Sequence, residues 1–214
     1  MIKLIIFDLD GTLADTVESI REAVNMALAK WGFPQRTYKE TCDAIGCGAK
    51  NLIRGVLPDA LREDEELVCS VLADYEKFYD STHTSVKECY PYVKECICTL
   101  QKRGYTLAVL SNKQDVYTKN IVASLFACDT FAFVAGQTEL PRKPDPTVPL
   151  MIADKFGFAP SECAFMGDSE VDVATAKNAG MLSVACAWGY RPKENLVGAD
   201  HIIESAEELL HIFK

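Results

Sequence analysis

The 214-residue sequence has no long hydrophobic run and comparatively few positive charges. Its 22 Lys and Arg residues are outnumbered by 31 Asp and Glu residues, so the formal net charge is -9 at pH 7. That charge repels nucleic acid and anionic membranes, whose binding normally requires clustered basic residues. The apolar run at residues 4–7 ends at Asp8 and is too short for a membrane span or a signal-peptide core. We therefore expect no nucleic-acid partner, no membrane partner and a cytoplasmic location.

The nine cysteines lack the spacing of a structural metal site. Their number is odd and they are scattered along the chain, with some in apolar runs such as residues 184–187. Cys96 and Cys98 have one residue between them, and no second pair has zinc-ligand spacing. Free buried thiols in a reducing compartment account for this pattern.

Short apolar runs alternate with helical segments along most of the chain. The runs have no polar alternation, which is typical of parallel strands buried on both faces. Alternating strands and helices predict an α/β fold with a doubly wound parallel sheet, whose ligand site lies at the carboxyl ends of the strands. The predicted strands cover residues 3–8, 105–110, 131–134, 163–166, 182–187 and 201–203. The predicted helices cover residues 93–103, 115–126, 147–156, 171–179 and 205–213.

One segment, residues 15–82, breaks this alternation because it has helical periodicity throughout and no convincing strand. The chain is long enough for a core domain that carries a smaller inserted domain. We therefore predict an α-helical cap at residues 15–82, lying over the strand ends, and a core domain formed by residues 1–14 and 83–214.

Asp8 and Asp10 end the first predicted strand. Side chains two residues apart in an extended chain project to the same side, so both carboxylates are expected at the mouth of the sheet. Two such carboxylates repel, but a divalent cation such as Mg²⁺ can bridge them, and oxygen ligands suit this ion. Gly11 permits a sharp turn directly after the pair. A strand-end turn that caps a helix is the alternative, because Asp-Gly is a common turn pair.

Ser111, Asn112 and Lys143 provide groups suited to a phosphate. Ser111 and Asn112 follow the predicted strand at residues 105–110, where a hydroxyl and backbone N–H groups can bind a phosphoryl oxygen. Lys143 precedes Pro144, which disfavours a helical conformation for the lysine. This lysine supplies the local cation that an acidic protein needs to bind an anion. Taken singly, the serine could be a helix cap and the lysine a solvated side chain.

Asp168 follows the strand predicted at residues 163–166, and Asp172 lies four residues further on, in the first turns of a helix. This spacing puts both carboxylates on one helical face, where Asp172 can hold Asp168, Lys143 or a metal-bound water in place. Acidic residues are also favoured at a helix N-terminus by its dipole, which explains one carboxylate better than two. Acidic, hydroxyl, cationic and acidic groups at four successive edge positions of one sheet together favour one site.

The order and spacing of these groups resemble the haloacid dehalogenase-like superfamily over essentially the whole chain. Its four motifs correspond to Asp8-Leu9-Asp10-Gly11-Thr12, Ser111-Asn112, Lys143-Pro144 and Gly167-Asp168-Ser169 with Asp172.

The resemblance implies a magnesium-dependent phosphatase that acts through an aspartyl-phosphate. Asp8 would be the nucleophile and Asp10 the general acid and base. The partner would be a small phosphorylated metabolite, and the protein is expected to be a monomer or a homodimer. The residues that would bind the substrate are Ser111 and Lys143 at the phosphoryl oxygens, together with Thr12, Asn112 and Gly46. The residues that would hold Mg²⁺ are Asp8, Asp10 through its backbone carbonyl, and Asp168, with Asp172 supporting them.

Three alternative functions are compatible with the same fold: a dehalogenase, a phosphosugar mutase and a non-catalytic binding protein. Asp10 argues against a dehalogenase, because those members lack the second aspartate. Residues 14–16, 23–28 and 45–49 resemble the cap of phosphoglycolate phosphatases, so a phosphoglycolate-like substrate is expected. A phosphosugar mutase of the beta-phosphoglucomutase type stays open, because such members generally carry a basic residue near the position of Ala49, and Lys50 is close to that position. A non-catalytic binding protein with the same fold is the last alternative.

The residues of the expected cap that are candidates for setting substrate specificity are Gly46, Lys50 and Arg54.

Overall fold

The computed structural model describes residues 1–86 and 88–214. The chain forms two compact units, which we call the core unit (Met1–Asp15 with Glu88–Lys214) and the helical unit (Thr16–Lys87). We propose that they represent the core domain expected at residues 1–14 and 83–214 and the cap expected at residues 15–82.

A six-stranded parallel sheet forms the centre of the core unit, in the order β3-β2-β1-β4-β5-β6. In this order the chain builds outward from β1 in one direction and then crosses to the other side of β1, so the strand order reverses between β1 and β4. The expected α/β fold with a doubly wound parallel sheet is confirmed. The strands are β1 Leu4–Phe7, β2 Thr106–Gln114, β3 Phe133–Gln137, β4 Cys163–Gly167, β5 Leu182–Cys186 and β6 His201–Ile203.

The central strands are apolar on both faces because helices cover the sheet on both sides. All four residues of β1 are fully buried, and all five residues of β4 are buried as well. Ile152 lies in one of the clusters that this burial creates, together with Ile6 and Phe165. The helices of the core unit are α5 Val93–Lys102, α6 Asp115–Leu125, α7 Thr147–Lys155, α8 Glu170–Asn178 and α9 Leu209–Ile212.

The described residues of the helical unit contain helices and no strand. A capping box starts the second helix, since Thr37 accepts a hydrogen bond from the Glu40 N–H and the Glu40 carboxylate accepts one from the Thr37 N–H. Asp74 joins two helices by accepting from Lys30 Nζ at 2.7 Å and from Trp31 Nε1 at 3.0 Å. The helices are α1 Val17–Lys30, α2 Tyr38–Ala44, α3 Ala49–Val56 and α4 Glu65–Thr82.

The prediction for β2 was too short. The strand continues past Leu110 to Gln114, and its register with β3 shifts between these two residues. Ser111 and Asn112 therefore lie in an irregular last stretch of the strand rather than after it. The prediction ended at residue 110 because polar residues follow the apolar run there, whereas the backbone stays extended to Gln114.

The last predicted helix is also shorter than expected. Ser205 caps a 3₁₀ turn at Ala206–Glu208 by accepting from the Glu207 N–H, and only Leu209–Ile212 form the α-helix. A serine that bonds to a nearby N–H favours such a turn over a longer helix.

Ile152→Ala tests the packing of α7 on the sheet. The Ile152 side chain is 1% exposed, so its truncation should lower the free energy of unfolding by about 2–5 kcal/mol. Urea denaturation measures this change. Met151, its neighbour on the same helix, is 52% exposed, and Met151→Ala should change the unfolding free energy by less than about 0.5 kcal/mol. Equal losses in both variants would show that α7 does not pack as described.

Candidate active site

Four functional groups lie at the carboxyl edge of the sheet because neighbouring parallel strands end there. Asp8 directly follows β1, Ser111 lies in the last part of β2, and Asp168 directly follows β4. Lys143 lies in the segment between β3 and α7. These four residues are buried, and the reversal of strand order between β1 and β4 puts Asp8 next to Asp168.

Lys143 links two of the carboxylates. Its Nζ lies 2.9 Å from Asp8 Oδ1 and 2.7 Å from Asp172 Oδ1, and its side chain is only 3% exposed. Burial would lower the pKa of this lysine, but the charges of Asp172 and Asp8 outweigh burial and raise its pKa above the ordinary value. Lys143 is therefore a permanent cation at the site.

Asp8, Asp168 and Asp172 form a carboxylate cluster in which one oxygen of each lies within 4.8 Å of the others. Burial, opposed by Lys143 and reinforced by Asp172, raises the pKa of Asp8 from 3.8 to about 7. Burial and the charges of Asp172 and Asp8 also raise the pKa of Asp168 well above its ordinary value. The cluster thus holds negative charge that its surroundings only partly compensate.

The donor set fits a hard divalent cation. When ionised, Asp8, Asp168 and Asp172 carry three negative charges against the one positive charge of Lys143, which leaves a formal charge of -2. Asp8 Oδ1 is buried and, apart from its ion pair with Lys143, accepts no well-aligned hydrogen bond from the residues that the structure describes. Carboxylate oxygens are the ligands that Mg²⁺ and Ca²⁺ prefer.

Asp172 is engaged through both of its oxygens. Oδ1 accepts from Lys143 Nζ, while Oδ2 accepts from the Ser169 hydroxyl at 2.6 Å and from the Ser169 N–H at 3.1 Å. This capping box at the start of α8 fixes the carboxylate. Asp172 thereby orients Lys143, a geometry that fits the supporting position expected for it.

Asp10 has a partner that the sequence analysis did not identify. Lys113 Nζ lies 3.0 Å from each carboxylate oxygen of Asp10, and both side chains are nearly buried. A lysine is usually a solvated residue, which is why Lys113 attracted no attention. Its position two residues after Ser111 was an available signal, because alternate residues of an extended chain lie on the same side.

The Asn112 amide joins β2 to the Lys143 segment. Asn112 Oδ1 accepts from the Lys143 N–H at 2.9 Å, and Asn112 Nδ2 donates to the Lys143 carbonyl at 3.1 Å. The sequence analysis assigned Asn112 to substrate binding, whereas this two-ended contact favours a role in positioning Lys143.

Thr12 lies beside the cluster and is fully buried, with its hydroxyl 3.5 Å from Asp168 Oδ1. Gly11, just before it, has φ +79°, and a Cβ there would lie 2.3 Å from Asp168 Oδ2. Only glycine fits such a close approach in this backbone conformation. Residues 8–14, which follow β1 and which we call the β1 loop, therefore pack directly against the Asp168 carboxylate.

Residues 5–186 match the family model described as haloacid dehalogenase-like hydrolase. The chain belongs to this family.

Its curated relatives in the haloacid dehalogenase-like family include phosphoglycolate phosphatases. The enzyme of that name from Vibrio vulnificus is 34% identical over 99% of this chain and 96% of its own length. The one from Haemophilus influenzae is also 34% identical, over 88% of this chain and 87% of its own length. The chain is therefore a phosphoglycolate phosphatase-like hydrolase.

Solved structures of the haloacid dehalogenase-like family agree with the fold. A predicted phosphoglycolate phosphatase from Haemophilus somnus has a TM-score of 0.91 at 29% identity, covering 100% of this chain and 98% of its own. Beta-phosphoglucomutase from Clostridium difficile has a TM-score of 0.82 at 22% identity, covering 98% of this chain and 93% of its own, which supports the fold alone.

None of the helices in the described part of the chain has the length and apolar character of a membrane-spanning helix.

The candidate residues of the expected cap lie in the helical unit. Gly46, with φ +117°, lies between α2 and α3. Lys50 Nζ lies 2.8 Å from Glu65 Oε2, and Arg54 forms an ion pair with the other oxygen of Glu65. Both basic side chains thus already have an acidic partner, which partly neutralises them.

Asp8→Asn should stabilise the cation-free protein in a pH-dependent way. The folded state raises the pKa of Asp8 to about 7, so ionising this carboxylate costs stability as the pH rises from 3.8 through 7. The variant has no such cost. In the presence of a chelator, its Tm should exceed that of the parent protein by about 2 °C or more at pH 8, and by less at pH 5.

Asp154→Asn, at an exposed position of α7, is the matched control and should leave Tm unchanged at both pH values. Scanning calorimetry gives all the Tm values. A lower Tm for Asp8→Asn at pH 8 would mean that the Lys143 ion pair outweighs the burial cost.

Proposed function

We propose that this hydrolase releases inorganic phosphate from a small phosphomonoester of the phosphoglycolate type, with Asp8 as nucleophile and Mg²⁺ as cofactor. The carboxylate cluster of Asp8, Asp168 and Asp172 around Lys143 is the observation that carries the proposal. It combines a nucleophile, a permanent cation and a set of hard oxygen ligands in one buried place.

In the first step, a carboxylate oxygen of Asp8 attacks phosphorus while the bond from phosphorus to the substrate oxygen breaks. The products are an aspartyl-phosphate and an alcohol, and the alcohol oxygen takes its proton from Asp10 in the acid form. Asp10 lies two residues after the nucleophile, and its contact with Lys113 holds the carboxyl group in a defined orientation.

In the second step, water attacks phosphorus of the aspartyl-phosphate. Asp10, now a carboxylate, accepts a proton from this water, and the bond from phosphorus to Asp8 breaks. Inorganic phosphate leaves, the Asp8 carboxylate is restored, and Asp10 again carries the proton that the first step used. The cycle consumes one water molecule and needs no other reactant.

Asp8 and Asp168 would hold the magnesium ion, with the backbone carbonyl of Asp10 as a further ligand. When bound, this ion would favour the ionised form of Asp8 and neutralise charge on the phosphoryl group. Asp172 acts through Lys143, since both of its oxygens are engaged by Lys143 and Ser169.

Ser111 and Lys143 would bind the phosphoryl oxygens. Lys143 is fixed by contacts at three points: its ammonium at Asp8 and Asp172, and its backbone at Asn112. A prepositioned cation stabilises charge on the transferring group without reorganisation, which is a large contribution in phosphoryl transfer. We propose a positioning role for Asn112 and Thr12.

Substrate preference is inferred from the relatives named phosphoglycolate phosphatase, which extend over nearly the whole chain. Gly46 remains a candidate for substrate contact. An assay with a hexose 1-phosphate distinguishes a mutase from a phosphatase. A mutase yields an isomer of the hexose phosphate without free phosphate, whereas a phosphatase releases phosphate.

Asp8→Asn should lower phosphate release from phosphoglycolate by about 10³-fold or more, because the amide cannot form the aspartyl-phosphate. A colorimetric phosphate assay with MgCl₂ measures this. Asp154→Asn should retain the parent rate within about twofold, since this position is exposed on α7. A chelator should abolish release by the parent protein, and added MgCl₂ should restore it.

Full activity of Asp8→Asn, or release that persists in the chelator, would contradict the mechanism. A panel of other small phosphomonoesters in the same assay tests the substrate class. Faster hydrolysis of a phosphosugar than of phosphoglycolate would replace the proposed substrate and leave the mechanism in place.

A further inference from the structure

Trp188, Gly189 and Tyr190 follow β5 and contact both the β1 loop and Asp168. We call these three residues the Trp188–Tyr190 segment. The proposed mechanism assigns no role to this segment. We infer that the segment positions the Asp168 carboxylate for cation binding, an inference that rests on the proposed function only in that Asp168 is taken as a cation ligand.

The first observation is a backbone hydrogen bond. The Tyr190 N–H donates to Asp168 Oδ2 at 2.7 Å, a short distance typical of a charge-assisted bond. The other oxygen of Asp168 has the Thr12 hydroxyl at 3.5 Å, so the Tyr190 N–H is the stronger of these two contacts. The orientation of the Asp168 carboxylate therefore depends on the position of the Tyr190 backbone, which follows β5.

The second observation is the close approach at Gly189. A Cβ on Gly189 would lie 2.2 Å from Asp168 Cβ, 2.4 Å from Asp168 Oδ2 and 2.5 Å from the Gly11 carbonyl oxygen. Any side chain here would displace Asp168 or the β1 loop. The glycine is required by this packing, since the segment and the β1 loop enclose Asp168 from two sides.

The third observation is a second attachment to the β1 loop. Trp188 Nε1 donates to the Thr12 carbonyl at 3.1 Å, and the Trp188 and Tyr90 rings lie 6.5 Å apart between centroids. The Tyr190 hydroxyl donates to Asp15 Oδ1 at 3.2 Å. The segment is thus anchored on both sides of Gly189.

These contacts matter because Asp168 lies beside carboxylates that repel it. One of its oxygens lies within 4.8 Å of oxygens of Asp8 and Asp172. A carboxylate in such surroundings turns away unless a donor holds it. Groups that orient metal ligands from outside the coordination shell commonly change metal affinity by about 10–100-fold when they are altered.

Gly189→Ala tests the inference by calorimetric titration of the substrate-free, full-length protein with MnCl₂ and MgCl₂. Since the added methyl group moves Asp168 from its present position, we expect the dissociation constant to rise by about 10–100-fold. Trp188→Phe keeps the aromatic ring but removes the donor to Thr12, and should raise the constant by a smaller factor.

Gly157→Ala is the matched control. Gly157 has φ +71° and open space around its Cα, so alanine is strained there without touching the site. This variant should lose thermal stability but keep its cation affinity within about twofold. It separates a loss of affinity caused by general destabilisation from one caused by displacement of Asp168.

A folded Gly189→Ala protein with the parent affinity would overturn the inference, and so would an equal loss of affinity in Gly157→Ala. If Gly189→Ala fails to fold, the titration of Trp188→Phe tests the inference instead. An unchanged cation dissociation constant in Trp188→Phe would then refute the positioning role. A parent protein that releases phosphate but binds neither cation overturns this inference and the magnesium part of the mechanism, while phosphate release itself stands. Cation binding that depends on the segment, without hydrolysis of any phosphomonoester, overturns the proposed function alone.

Discussion

Lys143 lies between two buried carboxylates, Asp8 and Asp172, and this ion-pair arrangement constrains the rest of the site. Three buried charges are costly to remove from water, and they are tolerated only where the ammonium lies close enough to the carboxylates to offset part of that cost. Their positions must therefore be held closely. Asp8 directly follows β1, Asp172 lies in the first turn of α8, and Asn112 in β2 fixes the Lys143 backbone.

The same arrangement makes the cluster a compromise between stability and function. Burial raises the pKa of Asp8 to about 7, so its ionised form is disfavoured in the cation-free protein. An apolar core beneath the strand ends compensates for this cost, since β1 and β4 are buried throughout. A cation at the cluster would relieve the repulsion, and this is why ligand binding and nucleophile ionisation are coupled in the proposed mechanism.

Much of the core unit could be predicted because its strands are continuous apolar runs that end in chemically distinctive residues. Asp8, Ser111 and Asp168 were predicted as site residues in this way, whereas Lys143 was predicted from the proline that follows it. The end of β2 was missed, because polar residues there continue an extended backbone. Lys113 was overlooked for a related reason. A lysine after Ser-Asn is expected to be solvated, and only the folded structure shows its contact with Asp10. Contacts made by backbone atoms, such as the Tyr190 N–H, leave no signature in side-chain chemistry.

The central claim is that Asp8 itself carries the phosphoryl group during turnover. The protein can be mixed with phosphoglycolate and MgCl₂, quenched with acid and treated with borohydride, which reduces an acyl phosphate to an alcohol. Peptide mass spectrometry then locates the product. The account predicts homoserine at position 8, dependent on substrate. Phosphate release without any reduction at position 8, or with reduction at another carboxylate, would contradict it.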